Sequence, residues 1–265
     1  MKYLKNYFGG IYKDRYVLRS LVKQDLQMKY NRSVLGVAWQ IITPLGLSII
    51  IGLIYSIIYG VDPKGFIPIL FSGLNPWVFL SGSADGGTFA YISAEGYLKQ
   101  TQVNPQIFPI RVVTVNFVNL FYSMLAYFVV FLILSPSSFG LSMLMIIPGL
   151  LIIYLGGLTL ANMSSAITIH LRDFQPLQSL VLQGLFYVTP IIYTTSMMDD
   201  KGFSIIYRIN PFYYLINAVR SPALGNDISV ATIEECLIVL AVTFVAFLIS
   251  AIITMKNNHG IAMKL

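Results

Sequence analysis

The chain has very few charged residues and almost no cysteine. Only 11% of its 265 residues are Asp, Glu, Lys or Arg, whereas a soluble globular domain carries roughly 25%. Cys236 is the only cysteine, so no disulfide can form within the chain. With two histidines and no Cys/His cluster, a structural zinc site is not expected. These shortages argue against a cytosolic enzyme and against a nucleic-acid-binding domain, despite a net charge of +6.

The sequence motifs of several common enzyme classes are missing too. No GxxxxGK[ST] motif occurs, so the chain has no phosphate-cradling loop with which to hydrolyse ATP. Neither an HExxH nor a GxSxG motif is present. We therefore predict no catalytic residue, no metal and no cofactor in this chain.

Long apolar runs are abundant. The chain is 56% hydrophobic, with a mean hydropathy of +0.74, and crossing a bilayer takes about 20 apolar helical residues. Runs of suitable composition cover residues 37–59, 66–91, 112–134, 143–169, 177–193 and 236–255. Pro68, Pro76 and the small residues of 81–87 predict a kinked or broken second span, while Gly156 and Gly157 predict close helix packing at the fourth. The fold class is thus an all-α integral membrane protein with six transmembrane helices, of which the fifth is short.

The segment between the fifth and sixth runs has a different character. It contains two apolar stretches, 203–209 and 212–219, that are too short to cross a membrane. Arg208, Pro211 and Arg220 lie in or beside them. Short re-entrant or interfacial helices are therefore expected between the fifth and sixth spans.

The distribution of cations predicts the orientation. If the N-terminus is cytoplasmic, thirteen of the 17 Lys and Arg residues fall on the cytoplasmic side and four on the other. Both termini are then cytoplasmic. We expect a cytoplasmic N-terminal segment at 1–36, a transmembrane domain at 37–255 and a cytoplasmic tail at 256–265.

An amphipathic helix is predicted before the first span, from Tyr16 to Leu35. Apolar residues recur there at helical spacing with basic residues between them, although Asp25 interrupts the apolar stripe. Such a helix is either an anchor on anionic lipids or a docking surface for a cytoplasmic partner.

Polar and aromatic residues inside the spans suggest two further sites. Asp85 is ionisable at membrane depth, where it has either a functional role or marks a solvated break in the second helix. Aromatic residues inside the spans either pack between helices or line a pore in which they stack against sugar rings. The candidate channel aromatics are Tyr55, Phe186, Tyr187 and Tyr193.

One segment is similar to a known family. Residues 25–39 read Asp-Leu-Gln-Met-Lys-Tyr-Asn-Arg-Ser-Val-Leu-Gly-Val-Ala-Trp and are followed by Thr43-Pro44-Leu45. This resembles the entry signature of ABC-transporter permeases that export O-antigen, teichoic acid and capsule polysaccharides. Later pieces resemble the same family in order and spacing, namely Gly73-Leu74-Asn75-Pro76-Trp77, Phe108-Pro109-Ile110-Arg111, Arg172-Asp173-Phe174, Thr189-Pro190, Asn210-Pro211-Phe212 and Arg220. The chain departs from the family at Ile110, which separates the proline from the arginine.

The resemblance implies a homodimer in the bacterial cytoplasmic (inner) membrane, docked on two copies of a separate nucleotide-binding ATPase that binds the ATP and magnesium. It implies that the N-terminal helix and the loop before the third span touch that ATPase. The residues expected to couple to it are Asp25, Lys29, Arg32, Lys99 and Asp173. An outer gate is expected at Asn210, Pro211, Phe212 and Arg220.

The expected function is export of a lipid-linked polysaccharide. Arg32 and Arg111 are candidates for holding a diphosphate-type lipid headgroup by charge-assisted hydrogen bonds, although both also fit an ordinary excess of cytoplasmic cations. One alternative is an ABC permease for a small amphiphile or drug. Another is an integral-membrane transferase acting on lipid-linked sugars, which would need a cluster of carboxylates, histidines or metal ligands.

Overall fold

A computed structural model describes residues 2–30, 35–136, 139–225, 230–257 and 261. Within these residues the chain is helical, with no strand. The helices are α1 (Lys2–Lys13), α2 (Arg15–Tyr30), α3 (Trp39–Tyr59), α4 (Pro63–Phe89), α5 (Glu95–Gln100), α6 (Ile107–Leu134), α7 (Ile146–Thr168), α8 (Phe174–Val188), α9 (Thr195–Asp199), α10 (Ser204–Arg208), α11 (Pro211–Ala223) and α12 (Val230–Asn257). Short 3₁₀ turns precede α3 and α7.

Five of the described helices are long and apolar enough to cross a membrane. They are α3, α4, α6, α7 and α12, which correspond to the first four predicted spans and the sixth. The predicted fifth span, 177–193, does not extend as expected, because α8 ends at Val188 after 15 residues. At 1.5 Å per residue α8 is about 22 Å long, which is short for a bilayer core. Thr189 turns to an extended conformation there, as the residue before a proline tends to do.

Helix α4 lies at the centre of the bundle and packs chiefly against α6 and α7. In its most apolar stretch 67% of the residues are buried, against 17% to 44% in the other four candidate spans. Because protein rather than lipid surrounds α4, the helix tolerates more polar residues than the others. It also continues through Pro68 and Pro76 from Pro63 to Phe89, so the predicted break in this span is wrong.

Small residues allow α4 and α7 to approach closely, as the sequence predicted. A Cβ atom on Gly87 would lie 2.7 Å from the Cα of Ala161, and one on Gly157 would lie 2.7 Å from the ring of Phe79. Neither glycine could carry a side chain without moving a neighbour. The tight packing of these two helices therefore depends on the absence of side chains at these positions.

The predicted short helices between the last two runs are present as α10 and α11, with α9 before them. Helix α11 is not a surface element, because it packs against both α4 and α7. A side chain on Gly149 of α7 would overlap the backbone of Ala218 on α11. The 13 residues of α11 are thus built into the bundle without crossing it.

The N-terminal segment holds two helices where the sequence predicted one. Helix α2 covers much of the predicted Tyr16–Leu35 helix but ends at Tyr30, and residues 31–34 lie outside the described residues. Helix α1 was not predicted. It packs along α12 and buries Tyr7 completely. The Asn162 amide on α7 donates to the Tyr7 hydroxyl at 3.1 Å and to Ser250 of α12 at 3.4 Å.

The α4–α7 contact predicts the effect of a bulky residue at position 87. We expect Gly87→Leu to destabilise the protein by about 1–3 kcal/mol, the usual cost of overpacking, because its side chain would meet the backbone of Ala161. Gly65→Leu is a matched control, since it lies in the same helix with no atom within 4 Å of the added Cβ. Thermal unfolding in detergent, followed by size-exclusion chromatography, measures the difference. Equal melting of the two variants would contradict the close packing.

Candidate functional site

An ion pair joins α2 to the beginning of α6. The Arg111 guanidinium donates through Nε and an Nη nitrogen to the two carboxylate oxygens of Asp25. The two side chains are only 18% and 23% exposed, respectively. A planar guanidinium and a carboxylate in this two-point arrangement form a strong, orienting contact. The position where Asp25 interrupts the apolar stripe of α2 is thus the position at which α2 is attached to α6.

A second attachment lies between the first two helices and the loop before α6. Asp14 is buried, and its carboxylate accepts hydrogen bonds from the backbone nitrogen of Asn104 at 2.8 Å and from its side-chain amide at 2.6 Å. Nearby, the Gln106 amide donates to the Tyr7 carbonyl at 3.4 Å. We call Asp14, Asp25, Asn104 and Arg111 the N-terminal joint. It fixes both N-terminal helices to the segment that leads into α6.

Asp25 and Arg111 were both predicted site residues, but for different roles, whereas Asp14 and Asn104 were not predicted. The signal that could have identified Asp14 is its position between two helical stretches, directly before Arg15, where α2 begins. Nothing in the sequence pairs Asp14 with Asn104, because 90 residues separate them.

The other predicted coupling residues lie apart from the joint. Lys99 pairs with Glu95 one turn earlier on α5, where both side chains are about half exposed. The hydrogen bond from Lys99 lowers the pKa of Glu95. Asp173 is exposed at the start of α8, and within the described ranges no ion pair links it to Arg172. Arg32 lies outside the described residues.

Lys29 faces a different environment from these residues. It stands on the last turn of α2 and lines a cavity between α3, α4 and α6. Burial lowers the pKa of its ammonium group, although part of the side chain remains exposed.

The predicted outer-gate residues come together around the beginning of α11. Asn210 caps this helix, because its side-chain oxygen accepts from the Phe212 nitrogen at 3.0 Å. Its amide donates to the Thr189 hydroxyl at 2.8 Å. Arg220 donates to the Pro190 carbonyl at 2.5 Å. Pro211 occupies the first turn, where it loses no helical hydrogen bond.

This group, which we call the α11 cluster, comprises Thr189, Pro190, Asn210, Phe212 and Arg220. It connects α11 to the end of α8 by two polar contacts. The Phe212 ring also lies 5.5 Å from the Trp77 ring of α4. Three sequence pieces that resembled the same family are therefore neighbours in space.

The candidate channel aromatics fall into two groups. Tyr55 of α3 stacks on Phe66 at 5.2 Å. Phe186 of α8 lies 5.6 Å from Trp77. Tyr193 lies beyond the end of α8, and its hydroxyl donates to the Tyr187 carbonyl at 2.7 Å. Tyr193 is also close enough to Tyr55 for an electrostatic interaction. Packing within the chain accounts for Tyr55 and Phe186.

Tyr187 differs from the other three aromatics, because it is 65% exposed. Its ring contacts Phe186 edge-on at 5.3 Å. Of the four candidates it has the largest surface available to a substrate or a second subunit.

Asp85 of α4 bridges helices and does not mark a break. Its carboxylate accepts from the Ser179 hydroxyl at 3.1 Å and from the Gln178 amide at 3.5 Å, both on α8. Gln178 in turn accepts from Ser164 of α7 at 2.6 Å. This short network holds α4, α7 and α8 together.

The chain is similar to known proteins along most of its length. The family described as ABC-2 type transporter matches residues 16–224, a range that begins within α2 and ends just beyond α11. The O-antigen export system permease protein RfbA of Myxococcus xanthus is 27% identical over 213 residues, which cover 80% of this chain and 81% of that protein. A protein of the same name from Klebsiella pneumoniae is 28% identical over 212 residues, or 79% and 80% of the two chains.

The N-terminal joint predicts the effect of removing one of its charges. Arg111→Gln leaves Asp25 partly buried without its cation, and hydrogen bonds to charged groups contribute roughly 1.5–3 kcal/mol. We therefore expect the apparent melting temperature of the purified protein to fall by several degrees. Lys99→Gln is the control, because exposed ion pairs contribute little, and it should melt like the unaltered protein.

The charge-swapped double variant Asp25→Arg with Arg111→Asp tests the pair directly. It should recover part of the loss, since the opposite charges still face each other. If Arg111→Gln melts like the unaltered protein and the charge-swapped variant melts no higher, the ion pair does not stabilise the protein.

Proposed function

The chain belongs to the ABC-2 type transporter family, and we propose that it is the permease subunit of an ATP-driven exporter of a lipid-linked polysaccharide. The observation that carries this proposal is the similarity to O-antigen export permeases along about four fifths of the chain. As a permease subunit the chain is not itself an enzyme. ATP hydrolysis then takes place on a separate nucleotide-binding subunit, two copies of which would serve a homodimer of this chain.

In this proposal each subunit crosses the cytoplasmic membrane six times, with both termini in the cytoplasm. The five long helices supply five crossings, and α8 with the residues up to Tyr193 supplies the sixth as an interrupted span. Contacts in the α11 cluster support this role, because they surround the end of α8 with protein. Irregular backbone at membrane depth is tolerated only in such surroundings or beside water.

Coupling to the ATPase runs through the N-terminal joint. A partner that pushes on α2 also moves the start of α6, since Asp25 and Arg111 hold the two together. Lys29, Arg32, Lys99 and Asp173 complete the coupling surface. An ATP-dependent shift requires that the partner bind the two conformations of this surface with different affinity.

Arg111 is better suited to this joint than to a substrate headgroup. Its charge is already matched by Asp25 within hydrogen-bonding distance. A diphosphate would have to compete with that carboxylate. Of the two predicted headgroup residues we retain Arg32 for this role.

The exit path runs between two subunits, past the channel aromatics, to the outer gate. Stacking of sugar rings on Tyr187 and Tyr193 gives weak contacts that tolerate a moving polymer. Asn210, Pro211, Phe212 and Arg220 fix α11 beside this path through their contacts with α8 and α4.

Deletion of the gene in its natural host tests this function. We expect the surface polysaccharide to disappear and the lipid-linked polymer to accumulate in the cytoplasmic fraction, as seen on glycan gels of separated fractions. Complementation with the unaltered gene restores export. A partner ATPase with a disabled Walker motif should give the same phenotype as the deletion. Normal surface glycan together with increased sensitivity to small amphiphiles would instead show a drug exporter.

A further inference from the structure

The cavity beside Lys29 has an unusual lining for a site within a membrane bundle. Its volume is about 440 Å³, within the size range of small-molecule sites. It lies between α3, α4 and α6, and carboxamide side chains from all three helices line it. We call it the amide cavity. It does not include the channel aromatics or the α11 cluster.

The polar lining residues follow helical spacing. On α6, Asn116, Asn119 and Ser123 occupy positions i, i+3 and i+7, which form one face of a helix. Seven residues of helix span about 10 Å. Asn116 lies about two and a half turns after Ile107, where α6 begins, so the polar face starts inside the helix and not at its end.

Several of these amides have weak or missing partners. Asn75 of α4 is 2% exposed, and its oxygen accepts from Ser123 at 2.7 Å, but its amide nitrogen donates to the thioether of Met124 at 3.8 Å. Sulfur in a thioether is a weak acceptor. Gln40 and Asn116 make no side-chain hydrogen bond with another described residue. Gln40 and Asn116 are only partly buried, so their amides are open to a polar ligand, which would also give the buried Asn75 amide a stronger partner than sulfur.

A cation also borders the amide cavity. Lys29 lines the cavity and, within the described ranges, pairs with no carboxylate. Trp39 of α3, which also lines the cavity, is 49% exposed and offers an aromatic face. The amide cavity thus combines an unpaired ammonium group, several carboxamides and an aromatic surface.

A phosphorylated sugar is chemically complementary to these groups. Sugar hydroxyls donate and accept hydrogen bonds, as carboxamides do, and a phosphate is a natural partner for an ammonium group. A glycerophospholipid headgroup would satisfy Lys29 but has few hydroxyls for carboxamides that come from three different helices.

We propose that the amide cavity binds the first phosphorylated sugar of the lipid-linked substrate, with the phosphate on Lys29 and the sugar hydroxyls on Gln40, Asn75 and Asn116. This inference rests on the proposed function and adds the place where a subunit first holds its substrate. Lys29, which also belongs to the proposed coupling surface, then binds the substrate as well.

Ligand binding to the assembled complex tests the proposal. The permease and its ATPase are placed in phosphatidylcholine nanodiscs, and a fluorescent polyprenyl diphosphate that carries N-acetylglucosamine is titrated. Unlabelled polyprenyl diphosphate, phosphatidylglycerol and inorganic phosphate serve as competitors. The sugar-bearing lipid should bind most tightly, with polyprenyl diphosphate next.

Two pairs of variants separate the phosphate from the sugar. Lys29→Gln should weaken binding of both diphosphate lipids about tenfold or more, because it removes a hydrogen bond to a charged group, and Lys23→Gln on the same helix is the control. Asn116→Leu should weaken only the sugar-bearing lipid, whereas Thr114→Val, a polar loss on α6 outside the cavity, should have no effect. Gln40→Leu repeats the amide test on α3 in case Asn116→Leu fails to assemble.

Each other outcome has a definite meaning. Equal losses in Lys29→Gln and Lys23→Gln would show general charge attraction, and equal competition by phosphatidylglycerol would show an ordinary anionic-lipid site. Either result overturns the inference, as does unchanged binding in all cavity variants. If the unaltered complex binds none of the lipids, the proposed function itself fails.

Discussion

The enclosure of α4 by protein is the constraint on which the other features depend. A helix that faced lipid along its length could not carry Asn75, Asp85 and a series of small polar residues without a large energetic cost. Surrounded by α6, α7 and α11, the same residues become contact points. Asn75 lines the amide cavity, Trp77 meets the α11 cluster, and Asp85 reaches α8. One buried helix thus contacts the amide cavity, the α11 cluster and α8.

The N-terminal joint complements this rigid centre. Helix α2 contacts α6 and the turn before α3, and its Leu21 is buried in an apolar cluster with Ala90, Tyr91 and Phe108. Asp25 and Arg111 add an oriented contact to this packing, while Asp14 attaches the neighbouring loop. A force applied to α2 is transmitted to the start of α6, the helix that carries the polar face of the amide cavity. Coupling and substrate binding would then share one helix, with Arg111 and Asn116 about one and a half turns apart.

Sequence patterns predicted the long helices well, because apolar runs of about 20 residues have few other stable structures. They also predicted close packing at Gly157, because small residues in a membrane span allow another helix to approach closely. They failed where an outcome depended on distant partners. Nothing local indicated that Tyr7 is buried against α12 or that Asp25 meets Arg111, whereas Pro190 was a local signal for the end of α8. The spacing of Asn116, Asn119 and Ser123 was readable as a polar face, but its significance required α3 and α4 beside it.

The packing of α1 has a consequence for biosynthesis. Tyr7 is synthesised before the helices that follow α1, yet its ring centre lies 6.0 Å from that of Phe247 on α12, and α12 is synthesised after every other helix described. Helix α1 therefore has no complete binding site until α12 has been synthesised. Since Gln106 reaches the Tyr7 carbonyl and Asp14 follows α1 directly, the N-terminal joint is also completed late. Correct insertion of the last helix becomes a condition for assembly at the first.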